Sequence, residues 1–405
     1  MFIRKRKLTL SVVIQLIISL KTALQSELDS FLKKLSKSDF NIRKVTKGAF
    51  TQARSKLNEW AFVRLNEVAV NSFYEEAPIR VWDDMRVLAV DGTRFVLPKH
   101  KTTIEEFGVH QFGPKADSPQ VLAMGSILYD VLNQIPIDAQ LAPYQESERD
   151  LLMLHMEKIK ENDMLLLDRG YPCFWLLFLL MSKKIHFCVR VKVAGWNIAK
   201  DFVASGLQEK IINIKFQKKD RNKLEVFSDF LNKEITCRLV RVELSTGEVE
   251  VLCTSLTDVD KYPNSNFSEL YQRRWGVEEA FKLLKSRIEL EKFTGKTSRA
   301  VKQDFHAKIL LMTLCAAFAH PIENKVIEEY RKDEKRKHSQ KINRTNALRA
   351  TVSILIPMFF RRLYKKSIEA FDDIVYHTRE IIRPGRNNKR SKIPKKRYCM
   401  NYKTL

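Results

Sequence analysis

The chain has 405 residues, 44% of them hydrophobic, with 72 Lys and Arg against 48 Asp and Glu and a formal net charge of +24. That length and apolar content exclude a largely disordered polypeptide and suffice for two or three domains with cores of their own. The charge points to a polyanionic partner, with nucleic acid the leading candidate.

The basic residues are segregated: residues 1–57 hold thirteen Lys and Arg against three acids, and residues 383–405 hold nine and no acid. The six cysteines, at positions 173, 188, 237, 253, 315 and 399, form no C-x-x-C pair, which argues against a zinc knuckle or a disulfide framework and fits a reducing cytoplasm. The longest apolar runs, Phe174 to Met181 and Ile309 to Ala319, fall short of the roughly 20 residues that span a bilayer, so no membrane segment is expected. Leu8 to Leu20 follows a basic cluster, but Gln15 interrupts it and no small-residue cleavage site comes after, so it reads as the first helix of a soluble domain.

Along the chain, apolar periodicity predicts helices over Ser26 to Leu35 and Lys47 to Leu65, a basic pair suited to docking on DNA or to capping the fold. From Met85 the texture changes. Val87-Leu88-Ala89-Val90 has the character of a buried strand ending on Asp91-Gly92-Thr93. Gln120 to Val131 and Ile135 to Leu141 read as two strands joined near Asn133-Gln134. Ser147 to Lys160 reads as a helix whose first-turn Glu and Asp suit its dipole. Met164 to Leu167 is a second buried strand, ending on Asp168-Arg169-Gly170-Tyr171; Tyr171 to Ser182 and Ile185 to Lys192 follow as helix and strand.

This succession of three strands, a helix and a strand is the ribonuclease H arrangement, with both aspartates at strand ends, where open sheets collect their chemistry. Residues 193–262 interrupt it with four segments of strand character, Glu209 to Phe216, Lys223 to Phe227, Glu234 to Leu244 and Glu248 to Leu256. The expected fold is therefore α/β: a ribonuclease H-like catalytic core interrupted by a β-rich insertion, with helical N-terminal and C-terminal regions. Its divisions are a helical basic DNA-binding region (1–75), the first part of the core (76–192), the insertion (193–262), the second part of the core with a glutamate helix (263–330), a C-terminal helical region (331–382) and a basic tail (383–405).

The glutamate helix is the most informative segment. Tyr271, Arg274, Glu278 and Lys285 are spaced by three, four and seven residues, which at about 100° per residue gathers them within roughly 60° on one helix face. Val277, Ala280, Phe281, Leu284 and Ile288 form an adjoining apolar face, so the polar stripe borders the core. Asp91, Asp168 and Glu278 are then the parts of a two-metal site for in-line phosphoryl transfer. Mg2+ suits such hard carboxylates, and Mn2+ is a plausible substitute. Arg offers a planar fork for phosphate and Lys a mobile point charge. Gly295-Lys296-Thr297 lacks the upstream glycine of a nucleotide-binding loop, and no H-E-x-x-H occurs.

The spacing Y-x2-R-x3-E-x6-K at Tyr271, Arg274, Glu278 and Lys285 resembles the signature of the IS4-family insertion-sequence transposases. Phe293-Thr294-Gly295-Lys296-Thr297 with Gln303-Asp304-Phe305 is similar to its continuation there, and Asp91-Gly92-Thr93 and Asp168-Arg169-Gly170-Tyr171 resemble that family's two aspartate motifs. The resemblance implies a DDE transposase that binds the terminal inverted repeats of its element as double-stranded DNA, pairs two ends as a homodimer in a synaptic complex, and cuts and joins them to target DNA, in some relatives through a hairpin. It implies Asp91, Asp168 and Glu278 as catalytic metal ligands and Tyr271, Arg274 and Lys285 as phosphate contacts. A metal-dependent nuclease of the same fold and an inactive DNA-binding derivative are the alternatives.

Overall fold

The computed structural model describes residues 7–20, 24–40, 43–111, 119–215, 234–244, 247–333 and 337–382. The expected strand at Lys223 to Phe227 and the basic tail from Arg383 lie outside these residues. In chain order the elements are α1 (Leu10–Ser19), α2 (Leu24–Ser36), α3 (Lys47–Arg54), α4 (Trp60–Glu76), β1 (Val87–Leu97), α5 (Lys101–Phe107), β2 (Val109–His110), β3 (Gln120–Asp130), β4 (Ile135–Pro143), α6 (Glu148–His155), β5 (Met164–Leu167), α7 (Phe174–Ser182) and β6 (His186–Val191). They continue as α8 (Asn197–Ala204), β7 (Glu209–Lys215), β8 (Glu234–Glu243), β9 (Val249–Thr254), α9 (Ser265–Gln272), α10 (Trp275–Lys282), α11 (Ser298–Lys332), β10 (Gln340–Ile342), α12 (Arg344–Arg361), α13 (Tyr364–His377) and β11 (Arg379–Ile381).

The chain forms two compact units, and each is discontinuous in sequence: one of residues 1–77, 94–123 and 282–405, the other of residues 78–93 and 124–281. The second unit carries most of a mixed sheet, ordered β4-β3-β1-β5-β6-β9-β8-β7. β1 pairs with β5 and β5 with β6 in parallel, while β6–β9, β9–β8 and β8–β7 are antiparallel. β5 is buried along its whole length, as its uninterrupted Met-Leu-Leu-Leu run predicts for a strand covered on both faces. β7, β8 and β9, drawn from the stretch expected as a β-rich insertion, extend this same sheet through the β6–β9 pairing.

The β3–β4 connection is locked locally. Asp130 Oδ1 accepts from the backbone N–H groups of Leu132 and Asn133, and the Asn133 side chain donates to Asp130 Oδ2 at 2.8 Å and to Arg80 O at 2.9 Å. Gln134 completes the turn with φ of 55°.

A buried polar chain joins β3, β4 and α6: His155 Nδ1 lies 2.7 Å from Asp138 Oδ2, and His155 Nε2 lies 3.0 Å from Ser126 Oγ. The connectivity is that of a hydrolase triad, but Ser126 and His155 are fully buried, so the chain is structural. Burial pushes the Asp138 carboxyl up, yet its hydrogen bond and charge interaction with His155 and a hydrogen bond from Gln140 outweigh this and hold it below the usual range. A depressed folded value means stability that is full above the unfolded value near 3.9 and is lost as pH falls through the folded one. Denaturant unfolding of Asp138→Asn and the parent between pH 3 and 7 should show the parent's advantage steady at the neutral end and shrinking below about pH 4. An advantage that persists undiminished at pH 3 would refute the account.

The first unit is helical. Helix α11 packs against α1, α4, α12 and α13. It is long and apolar enough by composition to cross a bilayer, but 72% of its apolar window is buried within the protein, the mark of a central core helix. Its Lys308, 4% exposed, donates to the carbonyls of Ile18 at 2.6 Å and Leu20 at 2.8 Å, satisfying the orphan carbonyl end of α1 with a cation where the helix dipole favours one. The helix expected over Lys47 to Leu65 is two helices: α3 ends at Arg54, and Asn58 Oδ1 accepts from Trp60 N to start α4.

Candidate active site

Asp91 does not end a strand as expected, because β1 continues through Gly92 to Leu97. What ends before Asp91 is the parallel pairing with β5, which stops at Ala89 opposite Leu166. Asp91 thus sits beyond the shared part of the two strands, and Asp168 follows directly after β5. Both are half-buried.

The glutamate segment is also not one regular helix. α9 ends at Gln272, Arg273 and Arg274 form a turn with Arg274 N donating to Tyr271 O at 3.0 Å, and α10 starts at Trp275. After α10 the chain widens into a π-helical turn over Leu283–Arg287, where Ile288 N donates to Leu283 O at 3.0 Å. The regular 100° spacing across the four signature residues therefore does not hold. The buried side chains are Phe267, Leu270 and Tyr271 on α9 and Val277, Ala280 and Phe281 on α10.

Asp91, Asp168, Tyr271, Arg274 and Glu278 all belong to the second unit; Lys285 belongs to the first, where its Nζ donates to Arg94 O at 2.6 Å and lies 4.8 Å from the Phe95 ring centroid. Arg274, 4% exposed, donates from Nη2 to Glu278 Oε1 at 2.7 Å, while its Nε and Nη1 are buried without a hydrogen-bond partner among the described residues. Tyr271 is buried and donates its hydroxyl to Leu167 O at 3.3 Å, bracing the end of β5 next to Asp168. Asp168 Oδ1 is buried and has no hydrogen-bond partner among the described residues. Asp91 Oδ1 accepts from Gly92 N at 2.9 Å. Burial pushes the Asp91 carboxyl up to about 6; the Gly92 N–H and Arg274 oppose this, and the charges of Glu148 and Glu278 add to it.

Glu148 is the residue that sequence reasoning did not assign to the site. It stands in the first turn of α6, where its charge is accounted for by the helix dipole, and no spacing links it to either aspartate. In the fold its side chain lies against both aspartate motifs: a Cβ built on Gly92 would come within 3.2 Å of Glu148 Oε1, and one on Gly170 within 3.2 Å of Oε2. Burial and the neighbouring charge of Asp168 raise its carboxyl above the usual range, with Arg149 opposing. Trp196 stacks on Phe174 with centroids 5.0 Å apart, whereas Trp275 is 49% exposed with the Arg274 guanidinium 5.4 Å from its ring centroid.

The second unit thus holds carboxylates on β1, at the end of β5, on α6 and on α10, and the buried Arg274 acts electrostatically on those of Asp91, Asp168 and Glu278. Among the described residues, no three His, Cys, Asp or Glu side chains stand close enough to share one ion in this arrangement.

The family model of the transposase DDE domain matches residues 82–314, which include Asp91, Glu148, Asp168 and the whole glutamate segment. The chain belongs to the DDE-domain transposases, enzymes that cleave DNA and transfer its strands, and that use divalent metal ions. More particularly, it is an insertion-sequence transposase of the IS4 family. Over 319 residues it is 24% identical to transposase InsG for insertion sequence element IS4 of Escherichia coli K12, which covers 77% of this chain and 70% of that protein. Among solved structures it is similar to the piggyBac transposase synaptic complex with hairpin DNA, at 10% identity and a TM-score of 0.45, over 90% of this chain and 74% of that one.

Proposed function

We propose that this transposase binds the terminal inverted repeats of its own element, cleaves them and joins them to target DNA, with Asp91, Asp168 and Glu278 as the ligands of two Mg2+ ions that Mn2+ can replace. The observation that carries the reading is the placement in one unit of Asp91, Asp168 and the Arg274–Glu278 ion pair at 2.7 Å, groups otherwise far apart along the chain.

The residues fit a hard divalent cation in donor chemistry. They are carboxylates, one buried oxygen of Asp168 has no hydrogen-bond partner among the described residues, and burial makes Asp91 resist ionisation despite the nearby Arg274. Bound there, divalent ions would activate the attacking oxygen and stabilise charge on the phosphoryl group.

The chain's own side chains have distinct tasks in this reading. Arg274 restrains Glu278 through its ion pair and keeps two buried nitrogens, Nε and Nη1, in reserve, their N–H groups suited to oxygens of the cleaved phosphate. Lys285, on the π-helical turn, supplies a second phosphate contact. Tyr271 contributes first by bracing the carbonyl before Asp168, and reaches phosphate on releasing it. The strand order β4-β3-β1-β5-β6 supports a ribonuclease H-like core, with residues 193–262 as its insertion and the flanking regions 1–75 and 331–382 as DNA-docking and assembly parts. The excess of 24 positive charges supports a long-range hold on DNA, and we place the enzyme in the cytoplasm as a homodimer in the synaptic complex.

The test is an end-joining assay with paired inverted-repeat ends, target DNA and Mg2+. Joined product supports transposition, and hairpin ends are scored on the same gel. Cleavage without joining indicates a nuclease, and binding alone an inactive derivative. Glu278→Gln should abolish cleavage and joining while retaining DNA binding; cleavage at the parent rate would exclude the proposed site.

A further inference from the structure

The geometry points to Glu148 as a fourth carboxylate of this site, a direct ligand of a divalent cation, with the Tyr171 hydroxyl as the donor that orients it. This deepens the proposed function and rests on it.

The carboxylate of Glu148 bridges the two aspartate motifs. Oε1 faces Gly92, the residue after Asp91, and Oε2 faces Gly170, two residues after Asp168. A Cβ at Gly92 would stand 3.1 Å from Glu148 Cγ, so both glycines leave room for this one side chain. The helix that carries Glu148 is clamped in place: Arg149 donates to Gly170 O at 2.8 Å and to Tyr171 O at 3.0 Å.

A purely structural role for Glu148 lacks its usual signs. Ser147 already caps α6, its hydroxyl accepting from Asp150 N, so the helix does not need a second cap. Among the described residues, the Glu148 carboxylate makes no hydrogen bond or ion pair, although Arg149 is adjacent in sequence and a half-buried charge ordinarily finds one.

A second observation, independent of the acids, points into the same space. Tyr171 is fully buried and its hydroxyl has no hydrogen-bond partner among the described residues. A buried phenol is rarely left so. Glu148 comes first among the charges acting on that hydroxyl, ahead of Asp91 and Asp168. A donor stranded beside three carboxylates is accounted for by a group that arrives with the cation: the hydroxyl can donate to Glu148, or to a water that Glu148 holds in the cation's shell.

The experiment uses the full-length protein without DNA and titrates Mn2+, followed by calorimetry and by the electron paramagnetic resonance signal of the free ion. Glu148→Gln should weaken Mn2+ binding at least about tenfold, the loss typical of removing a ligand or its support, with melting in EDTA unchanged or raised. Glu148→Asp, which keeps the charge on a shorter arm, and Tyr171→Phe, which removes only the hydroxyl, should each weaken it by less. In end cleavage, Glu148→Gln should need a higher Mg2+ concentration and recover in part when it is supplied. Asp91→Asn separates the two levels of the reading. If it loses Mn2+ binding while Glu148→Gln binds as the parent does, the fourth-ligand assignment is overturned and the three-acid site stands. If Asp91→Asn also binds as the parent does, the metal site itself is wrong and this inference falls with it. Should Glu148→Gln melt early, the Glu148→Asp and Tyr171→Phe titrations decide the matter, and parent-like affinity in both overturns the assignment.

Discussion

Asp168→Asn should lower the rate of end cleavage by about a thousandfold or more, the equivalent of about 4 kcal/mol of transition-state stabilisation. The fold should not register the change. The turn after β5 is closed by backbone, with Tyr171 N donating to Asp168 O at 3.0 Å, and the Tyr271 hydroxyl braces the preceding carbonyl whatever side chain follows. The carboxylate itself has one buried oxygen with no hydrogen-bond partner among the described residues, so its amide isostere forfeits no hydrogen bond there and loses only a charge attraction to Arg274. Removing its charge also relieves Glu148, whose carboxyl it pushes up. Thermal melting of the variant should therefore match or exceed the parent, and DNA binding in a mobility-shift assay should be retained. A variant that cleaves within tenfold of the parent would take Asp168 out of the chemistry.

The second large effect falls on stability. Asp304, 2% exposed in α11, pairs with Arg54 at 2.8 Å; Arg54, 5% exposed at the end of α3, also donates to Gln303 Oε1, Thr294 Oγ1 and Ala300 O. Asp304 accepts in turn from Thr294 N at 2.7 Å, which fixes the chain just before α11. Asp304→Ala leaves a buried guanidinium without its counter-charge and should cost about 3–5 kcal/mol, seen as a fall in the denaturant midpoint. Replacing both partners together, Arg54→Met with Asp304→Leu, should recover much of that loss, because desolvating the pair is itself expensive. The specific activity of the folded fraction should stay near that of the parent. Loss of chemistry with stability unchanged would mean that Asp304 acts in the site instead.

That pair also shows how far a motif can be read. Gln303 and Asp304 stand in a stretch that resembles a transposase family, and resemblance alone does not say whether a residue reacts or supports. Burial and partners assign these two to support. Gly295 belongs with them: a Cβ there would come 2.6 Å from the Cβ of Ala300, so the tight approach to α11 requires glycine. Trp196 follows the same lesson, packed on Phe174 while Trp275 remains exposed.

Local pattern was sufficient for the elements whose cause is local. The Met-Leu-Leu-Leu run of β5 could only be a covered strand, and the Thr46 and Ser147 caps mark where α3 and α6 begin. The two aspartates and the glutamate were legible as candidates, because acids bordering apolar strands and a basic helix stripe are an unusual expense of charge near a core. Three things depended on tertiary structure. Continuing β1 past Asp91 depends on strand partners distant in sequence, and breaking the glutamate segment at Arg274 depends on what α9 and α10 each pack against. The third is Glu148. In the chain it is an ordinary acid in a helix's first turn, and it meets both aspartate motifs only because α6 is clamped beside Gly92 on β1 and Gly170 in the turn after β5. Periodicity and capping act over a few residues and are written in the sequence, whereas the meeting of charges from four elements is decided by long-range packing, which leaves no local trace.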